Sequence, residues 1–454
     1  MLDEIPPLPP TLHHLFTSVD DPLAKHFRKK IRLFNSGMAM ASFQANDKTV
    51  TRGAPGCFKV VGQVYRRIGS LLANEQSNAK CLQVYFLDPD YQATLRATRY
   101  LSDVRAAPDE QDVEIFSRLR TSLVDEANNT YIASFLTVVE WIRHNRIDPE
   151  EVQIQLHETE KPGQGQHVGR FHLPTAPEVS VLLPSREQMS ISKSSIVCSV
   201  RPQVGINGYD SLQIIRDHHR SIWPLLYPIL FPHGTSGWHD GLHSNNPGHG
   251  RKVTLSEFCR WYMMIDSHLH YGRKLYQQFI VDNYTRIEAN NLNWIRMNQK
   301  TIRAELYNNL QDAHSQDTHD RVGRAYILPA SHTGSDRWYH KWYKNAMTLV
   351  QKYGKPTFFI TMTMDPNCEE VRQHLNEGET PYDRPDIVCR IFELKRKELL
   401  RLIKEGHIFG ECIAHVCVIE FQKRGAPHMH LLIWIKDFDH TPGNIDNVIS
   451  GDTS

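Results

Sequence analysis

The chain has 454 residues, 23% of them charged and 40% hydrophobic, with a formal net charge of +1. That length allows two to four domains and a sizeable core, and the composition is that of an ordinary globular protein. A charge balance so near zero names no partner, so a nucleic-acid surface would have to come from local clustering of cations.

The eight cysteines (57, 81, 198, 259, 368, 389, 412 and 417) are scattered. No two have the two-residue spacing of a zinc knuckle, which argues against a structural zinc site. The opening "MLDEIPPLPPTLHHLF" is acidic and proline-rich and does not read as a secretory signal. Reduced thiols in the cytosol or nucleus are therefore expected. No apolar run of about eighteen residues occurs, so no membrane-spanning helix is expected.

Residues 1–40 read as a flexible leader, because the prolines at 6, 7, 9 and 10 oppose helix. "CFKVVGQVYRRIGSLL" and "KCLQVYFLDPD" are rich in Val, Tyr, Phe and Ile and predict strands. Residues 109–145 have helical spacing, with Ile115, Leu119, Leu123, Phe135, Val138 and Trp141 on the apolar side. "EVQIQLHE" and "EVSVLLP" return to strand patterns around a glycine-rich turn, "KPGQGQ". Residues 41–200 are thus expected to form a mixed α/β N-terminal domain. A loop-rich and helical middle follows over 201–335. Its stretch 223–250 is dense in Pro, Gly and His. His233, His239, His243 and His249 lack acidic or Cys partners at motif spacing and read as loop histidines rather than metal ligands. Residues 254–310 predict long helix, started by Ser256 and its polar neighbours. Residues 336–354 predict another, stopped at "YGKP".

The last segment, 336–454, carries the chemistry. "PTFFITMTMDPN" is a short alternating strand ending in a turn at Asp365 and Pro366. Residues 385–406 predict a helix with Ile387, Ile391, Leu394 and Leu402 toward a core. Its outer face is basic, with Arg390, Lys395, Arg396, Lys397, Arg401 and Lys404; such a run is more often a solvated face than a phosphate contact. "CIAHVCVIEFQ" and "HMHLLIWI" then read as two strands joined by "KRGAP". The order strand, helix, strand, strand fits an α+β layer on a central antiparallel sheet. Residues two apart on a strand share a face, so His428 and His430 point the same way, as do Glu420 and Gln422. If Gln422 pairs with His428, Glu420 lies opposite His430. Any shift by an even number keeps the acidic and histidine faces together, and an odd shift separates them. Two imidazoles with a carboxylate or amide oxygen make a divalent-metal set. A lone strand histidine is more often a satisfied core residue. Phe421 and Trp434 could stack bases or belong to the core.

"EFQKRGAPHMH" resembles the His-hydrophobic-His motif of HUH single-strand endonucleases in the form carried by Helitron transposon proteins. "GKPTFFITMTMDPN" resembles their upstream motif strand. "ILPASHTGSDRWYHKWYKNAM", "DNYTRIEANNLNWIR", "YPILFPHGTSGWH" and "FKVVGQVYRRIGSLL" resemble Helitron segments as well. The likeness covers roughly residues 50–436. It implies an HUH-type C-terminal domain and rolling-circle chemistry on single-stranded DNA. A divalent metal (Mg or Mn) would be held by His428 and His430, with Glu420 or Gln422 as third ligand and Glu420 favoured for its charge. Thr361, Thr363 and Asp365 would shape the site beside DNA, and Lys423 and Arg424 would approach the phosphate backbone. A DNA substrate implies nuclear localisation.

The likeness has limits. The family places its nucleophilic tyrosines on a helix after the histidines, whereas the last tyrosine here is Tyr382. The nucleophile is therefore expected downstream, and this chain is expected to be an N-terminal portion inactive alone. Tyr339 and Tyr343 share a helix face but read as core. No nucleotide-binding glycine loop ending in Lys-Ser/Thr appears, so neither a nucleotide site nor the family's helicase domain is expected. The alternative is a non-enzymatic DNA-binding or protein-interaction remnant whose metal face is idle.

Overall fold

The computed structural model describes residues 5–47, 60–70, 72–73, 75–101, 108–144, 146, 153–156, 179–182, 196–199, 213–215, 219–239, 242–243, 250–265, 268–302, 326–422 and 425–449. The chain divides into two compact units, Met1–Ile287 and Glu288–Ser454.

The first unit opens with α1 (Pro10–Thr17) and α2 (Pro22–Met38), so residues 1–40 are not the flexible leader expected. Each helix starts at its proline, where the missing N–H has no helical partner in any case. Asp21 caps α2 by accepting the Leu23 N–H at 2.8 Å. Leu12, Leu15, Phe16, Phe27, Ile31 and Phe34 then enter the core, and that burial outweighs the proline-rich start. β1 (Ser42–Asp47) pairs antiparallel with β2 (Val60–Ile68).

"KCLQVYFLDPD" is not a strand. Cys81–Phe86 is a 3-10 turn that buries Leu82, Val84 and Tyr85, and the Lys80 N–H donates to Gln83 Oε1 at 2.9 Å. Asp88 then caps α3 (Pro89–Tyr100); a helix start so close leaves no length for a ladder. The 109–145 stretch is two helices, α4 (Glu110–Thr121) and α5 (Thr130–His144), with a π turn at Ser122–Glu126. Asn129 restarts the chain by accepting the Tyr131 and Ile132 N–H groups at 3.1 and 3.2 Å. Ile115, Leu119, Leu123, Phe135 and Val138 are buried.

β3 (Gln153–Leu156), β4 (Val179–Leu182) and β5 (Ile196–Ser199) form an antiparallel sheet in the order β4-β3-β5. β6 (Gln213–Ile215) returns to pair with β2. Within the loop-rich stretch, residues 223–232, which include most of the short α6 (Ile222–Leu226), are buried. Trp223 lies 4.9–5.2 Å, ring to ring, from Phe231, Phe258, Tyr262 and Phe279. His233 contacts the carbonyls of Ala127 and Pro7 at 3.1 and 2.9 Å, as a packed loop histidine does. α7 (Leu255–Met264) starts two residues before Ser256 would place it, at a Thr254–Glu257 capping box. α8 (Lys274–Met297) follows.

In the second unit α9 (Asp336–Tyr353) ends at Gly354, whose φ is 76°. Then come β7 (Phe358–Thr363), α10 (Glu369–Arg372), α11 (Pro385–Lys404), β8 (Cys412–Phe421), β9 (Pro427–Ile435) and α12 (Pro442–Val448). The sheet is antiparallel with order β7-β9-β8, so β9 is central. This is the α+β arrangement expected. Met429, Leu431 and Ile433 are fully buried on one face, against Val388, Ile391, Phe392 and Ile403. At about 1.5–3 kcal/mol per buried side chain, this layer holds the sheet to α11. Leu394 is not part of it and is 65% exposed. It lies nine residues before Ile403, half a turn around the helix. With helix covering one face, Phe359, Thr361 and Thr363 of β7, Val418 and Glu420 of β8 and His428 and His430 of β9 are left on the other, open face.

Candidate metal centre

Strand pairing sets the site. β9 places His428 and His430 on the open face. Across the β7 side, Thr363 pairs with His428 and Thr361 with His430. Across the β8 side, Glu420 pairs with His428 and Val418 with His430. The conditional pairing of Gln422 with His428 is displaced by two residues. Gln422 instead closes the turn, donating its N–H to the Ala426 carbonyl at 3.0 Å and accepting from the Gly425 N–H at 2.8 Å. Gly425 has a φ of 83°, which glycine adopts freely. Because the shift is even, the carboxylate and both imidazoles share the face.

The side chains converge across the three strands. Glu420 Oε2 lies 3.8 Å from His430 Nε2. The two imidazoles meet edge to face with centroids 4.5 Å apart. Thr363 Oγ1 is 2.7 Å from His428 Nδ1, and Thr361 Oγ1 is 3.3 Å from His430 Nδ1. Gln422 Nε2 reaches only to 3.5 Å of His428 Nδ1. Phe359, 64% exposed, stacks on His430 at 5.3 Å with 13° between the planes. Sequence reasoning missed Phe359, although its i, i+2, i+4 spacing with Thr361 and Thr363 signals a shared face.

Two imidazole nitrogens and a carboxylate oxygen suit a first-row divalent cation, and the solvent side stays open for further ligands. His428, His430 and Glu420 are not already drawn together as tightly as His26, Asp109 and Asp112, whose ligand atoms lie within 4.8 Å of one another. The Glu420 side chain is 62% exposed and is not held in place by burial. The His26 group has a simpler account. Lys30 Nζ sits 3.0 Å from Asp112 Oδ2 and His26 Nε2 sits 2.6 Å from Oδ1, so the buried carboxylate already has its cation.

The other expected residues fall elsewhere. Asp365 is exposed in the turn after β7, where its Oδ1 accepts the Asn367 N–H at 2.9 Å. Lys423 and Arg424 lie outside the described residues. Trp434 is core, 2% exposed, with its indole N–H donating to the Gly354 carbonyl at 3.0 Å; Phe421 is 63% exposed but pairs with Pro427, one pleat step from Glu420, and so lies on the face away from the histidines. Tyr339 and Tyr343 are 61% and 64% exposed, so neither is the core residue expected. Four of the six cations on the basic face of α11 are paired with carboxylates. Lys395 pairs with Glu370 at 2.9 Å, Arg396 and Lys397 with Glu393 at 2.7 and 3.6 Å, and Arg401 with Glu398 and Glu405. These bonds hold the Glu370 carboxyl down to about 2, chiefly through Lys395, and lower Glu393, chiefly through Arg396. On the helix-facing side of β8, burial lowers the His415 imidazole, with Lys404 adding to the effect.

Residues 259–433 match the family model described as the Helitron helicase-like domain at N-terminus. The chain carries a Helitron helicase-like region. The matched span includes β7, α11, β8 and both histidines of β9. No curated protein matches the chain.

Proposed function

We propose that the open face of the C-terminal sheet binds a divalent cation (Mg or Mn) and a single-stranded DNA phosphate, as the HUH-type module of a Helitron rolling-circle transposition protein. The observation that carries this reading is the register. It sets His428, His430 and Glu420 on one uncovered face, in a Helitron helicase-like region. A bound cation supplies charge stabilisation at the phosphate. His428 and His430 offer ring nitrogens, and Glu420 offers the oxygen and one negative charge. Lys423 and Arg424, which follow Gln422 in the sequence, supply the positive charge that draws a DNA backbone. Exposed Phe359, on the same face as the histidines, supplies a surface on which a base can stack, worth about 1–3 kcal/mol. None of the described residues on the open face is a tyrosine, so the proposal assigns this face binding and polarisation of the phosphate rather than attack on it.

The test is binding of labelled single-stranded DNA to the full chain with and without Mn²⁺, followed by denaturing electrophoresis. Metal-dependent binding, lost in the His428→Ala/His430→Ala double variant, is expected. Binding indifferent to both metal and the double substitution would refute the metal site and favour a DNA-binding remnant. A covalent adduct surviving denaturation would show that a tyrosine of this chain attacks.

A further inference from the structure

We infer that Thr361 and Thr363 are positioning residues that hold the Nδ1 edge of both imidazoles, so that both Nε2 atoms are left to ligate the cation. The inference rests on the metal reading above and assigns the threonines a role other than DNA contact. Its basis is the geometry across three strands. Each threonine is the direct cross-strand partner of one histidine. Each hydroxyl lies within hydrogen-bond reach of that histidine's Nδ1, at 2.7 Å for Thr363–His428 and 3.3 Å for Thr361–His430. The opposite edge of His430 points toward β8, where Nε2 lies 3.8 Å from Glu420, too far for a hydrogen bond and placed for a shared ion. Phe359 stacks on the His430 ring and limits its rotation.

The chemistry follows from the two nitrogens of a neutral imidazole. One carries the proton and the other carries the lone pair. A cation on Nε2 needs the proton on Nδ1, and a proton there needs an acceptor. A threonine hydroxyl is an acceptor and, unlike a carboxylate, adds no charge to the site. Gln422 competes for His428 Nδ1 only at 3.5 Å, a distance the 2.7 Å contact of Thr363 overrides. Partners of this kind orient a ligating histidine and fix its tautomer. The alternating Thr-x-Thr of β7 and His-x-His of β9 are thus two halves of one device, in register because both strands have a period of two.

The test uses the full chain, with Mn²⁺ affinity by calorimetry and ¹⁵N resonances of labelled histidine with Cd²⁺ as a diamagnetic probe. Thr361→Val and Thr363→Val keep the shape and remove the hydroxyl. Each is expected to weaken Mn²⁺ binding roughly 10–100-fold, and Thr→Ser at the same positions to restore it. Cadmium is expected on Nε2 of both His428 and His430, with Nδ1 protonated. Ligation through Nδ1, or valine variants that bind Mn²⁺ as tightly as the unaltered chain, would overturn the inference while leaving the metal site standing. An unaltered chain that binds no Mn²⁺ overturns both. If a valine variant fails to fold, the nitrogen assignment on the unaltered chain still decides.

Discussion

Adjacent residues of β9 should differ sharply in what they contribute to stability. Leu431 is fully buried in the core, with no solvent-accessible surface, and sits across from Ile360 and Cys417. Leu431→Ala removes a buried isobutyl group and leaves a cavity, which costs about 2–5 kcal/mol. His430 is one pleat step away with its side chain 32% exposed. His430→Ala loses the Phe359 stack and a 3.3 Å contact with Thr361, about 1 kcal/mol in all. The assay is urea unfolding followed at Trp434, which is buried in the same unit and bonded to Gly354. Fluorotryptophan labelling with a Trp434→Phe reference isolates its signal from the other seven tryptophans. With a slope of about 2 kcal/mol per M, Leu431→Ala should lower the midpoint by roughly 1–2.5 M and His430→Ala by about 0.5 M. Equal shifts, or a larger one for His430, would mean that β9 is slipped by one residue. The histidines would then face α11, and the whole account of the site would fail.

Three further outcomes are expected. Asp282→Ala leaves the Arg66 guanidinium buried without its carboxylate, now 2.5 Å away; it should cost about 3–5 kcal/mol in thermal unfolding of the first unit, and a double change to apolar residues should cost less. Gly354→Ala meets no neighbour within 4 Å, yet φ 76° with ψ −153° is a region glycine alone adopts readily, so strain alone should cost about 1–3 kcal/mol by the same urea assay. His415 has its imidazole lowered by burial. The unfolded chain therefore binds its proton first, and stability is lost as pH falls from about 6.5 through the folded value. His415→Gln should flatten that slope in urea midpoints measured between pH 7.5 and 5.

Much of the site was legible because it depends on a period of two. His428, His430, Glu420, Thr361 and Thr363 share a face for any even register, and the turn around Gly425 supplied an even one. What the sequence does not carry is the register itself, hence Glu420 rather than Gln422 across from His428. Nor does it carry the ring partners, hence Phe359 and the threonine hydroxyls on Nδ1. The errors share a cause, which is that local propensity was overridden by burial or capping. The proline-rich start folded because its apolar residues reach the core. "KCLQVYF" tightened into a 3-10 turn because the cap of the next helix, Asp88, stands two residues later. Leu394 looked apolar enough for the core, but a 3.6-residue period puts it opposite Ile403.

The pairing of charges on α11 has a consequence for DNA binding. Counted from sequence, that helix offers Arg390, Lys395, Arg396, Lys397, Arg401 and Lys404. In the fold, Lys395, Arg396, Lys397 and Arg401 are tied to carboxylates within the second unit. A cation that already has its counter-charge on the protein releases little when a phosphate approaches. Single-stranded DNA binding loses affinity with salt at a slope of about −0.7 per phosphate neutralised. If Lys423 and Arg424 supply the contacts, the slope of log K against log salt is about −1.4; with the six cations of α11 engaged as well it would be about −6. Titrations with Mn²⁺ held constant and KCl varied from 50 to 300 mM separate the two. Lys423→Gln with Arg424→Gln should bring a shallow slope close to zero. A steep slope that this double variant barely changes would put DNA on the α11 side of the sheet, away from the histidines, and the open face would lose its claim to the substrate.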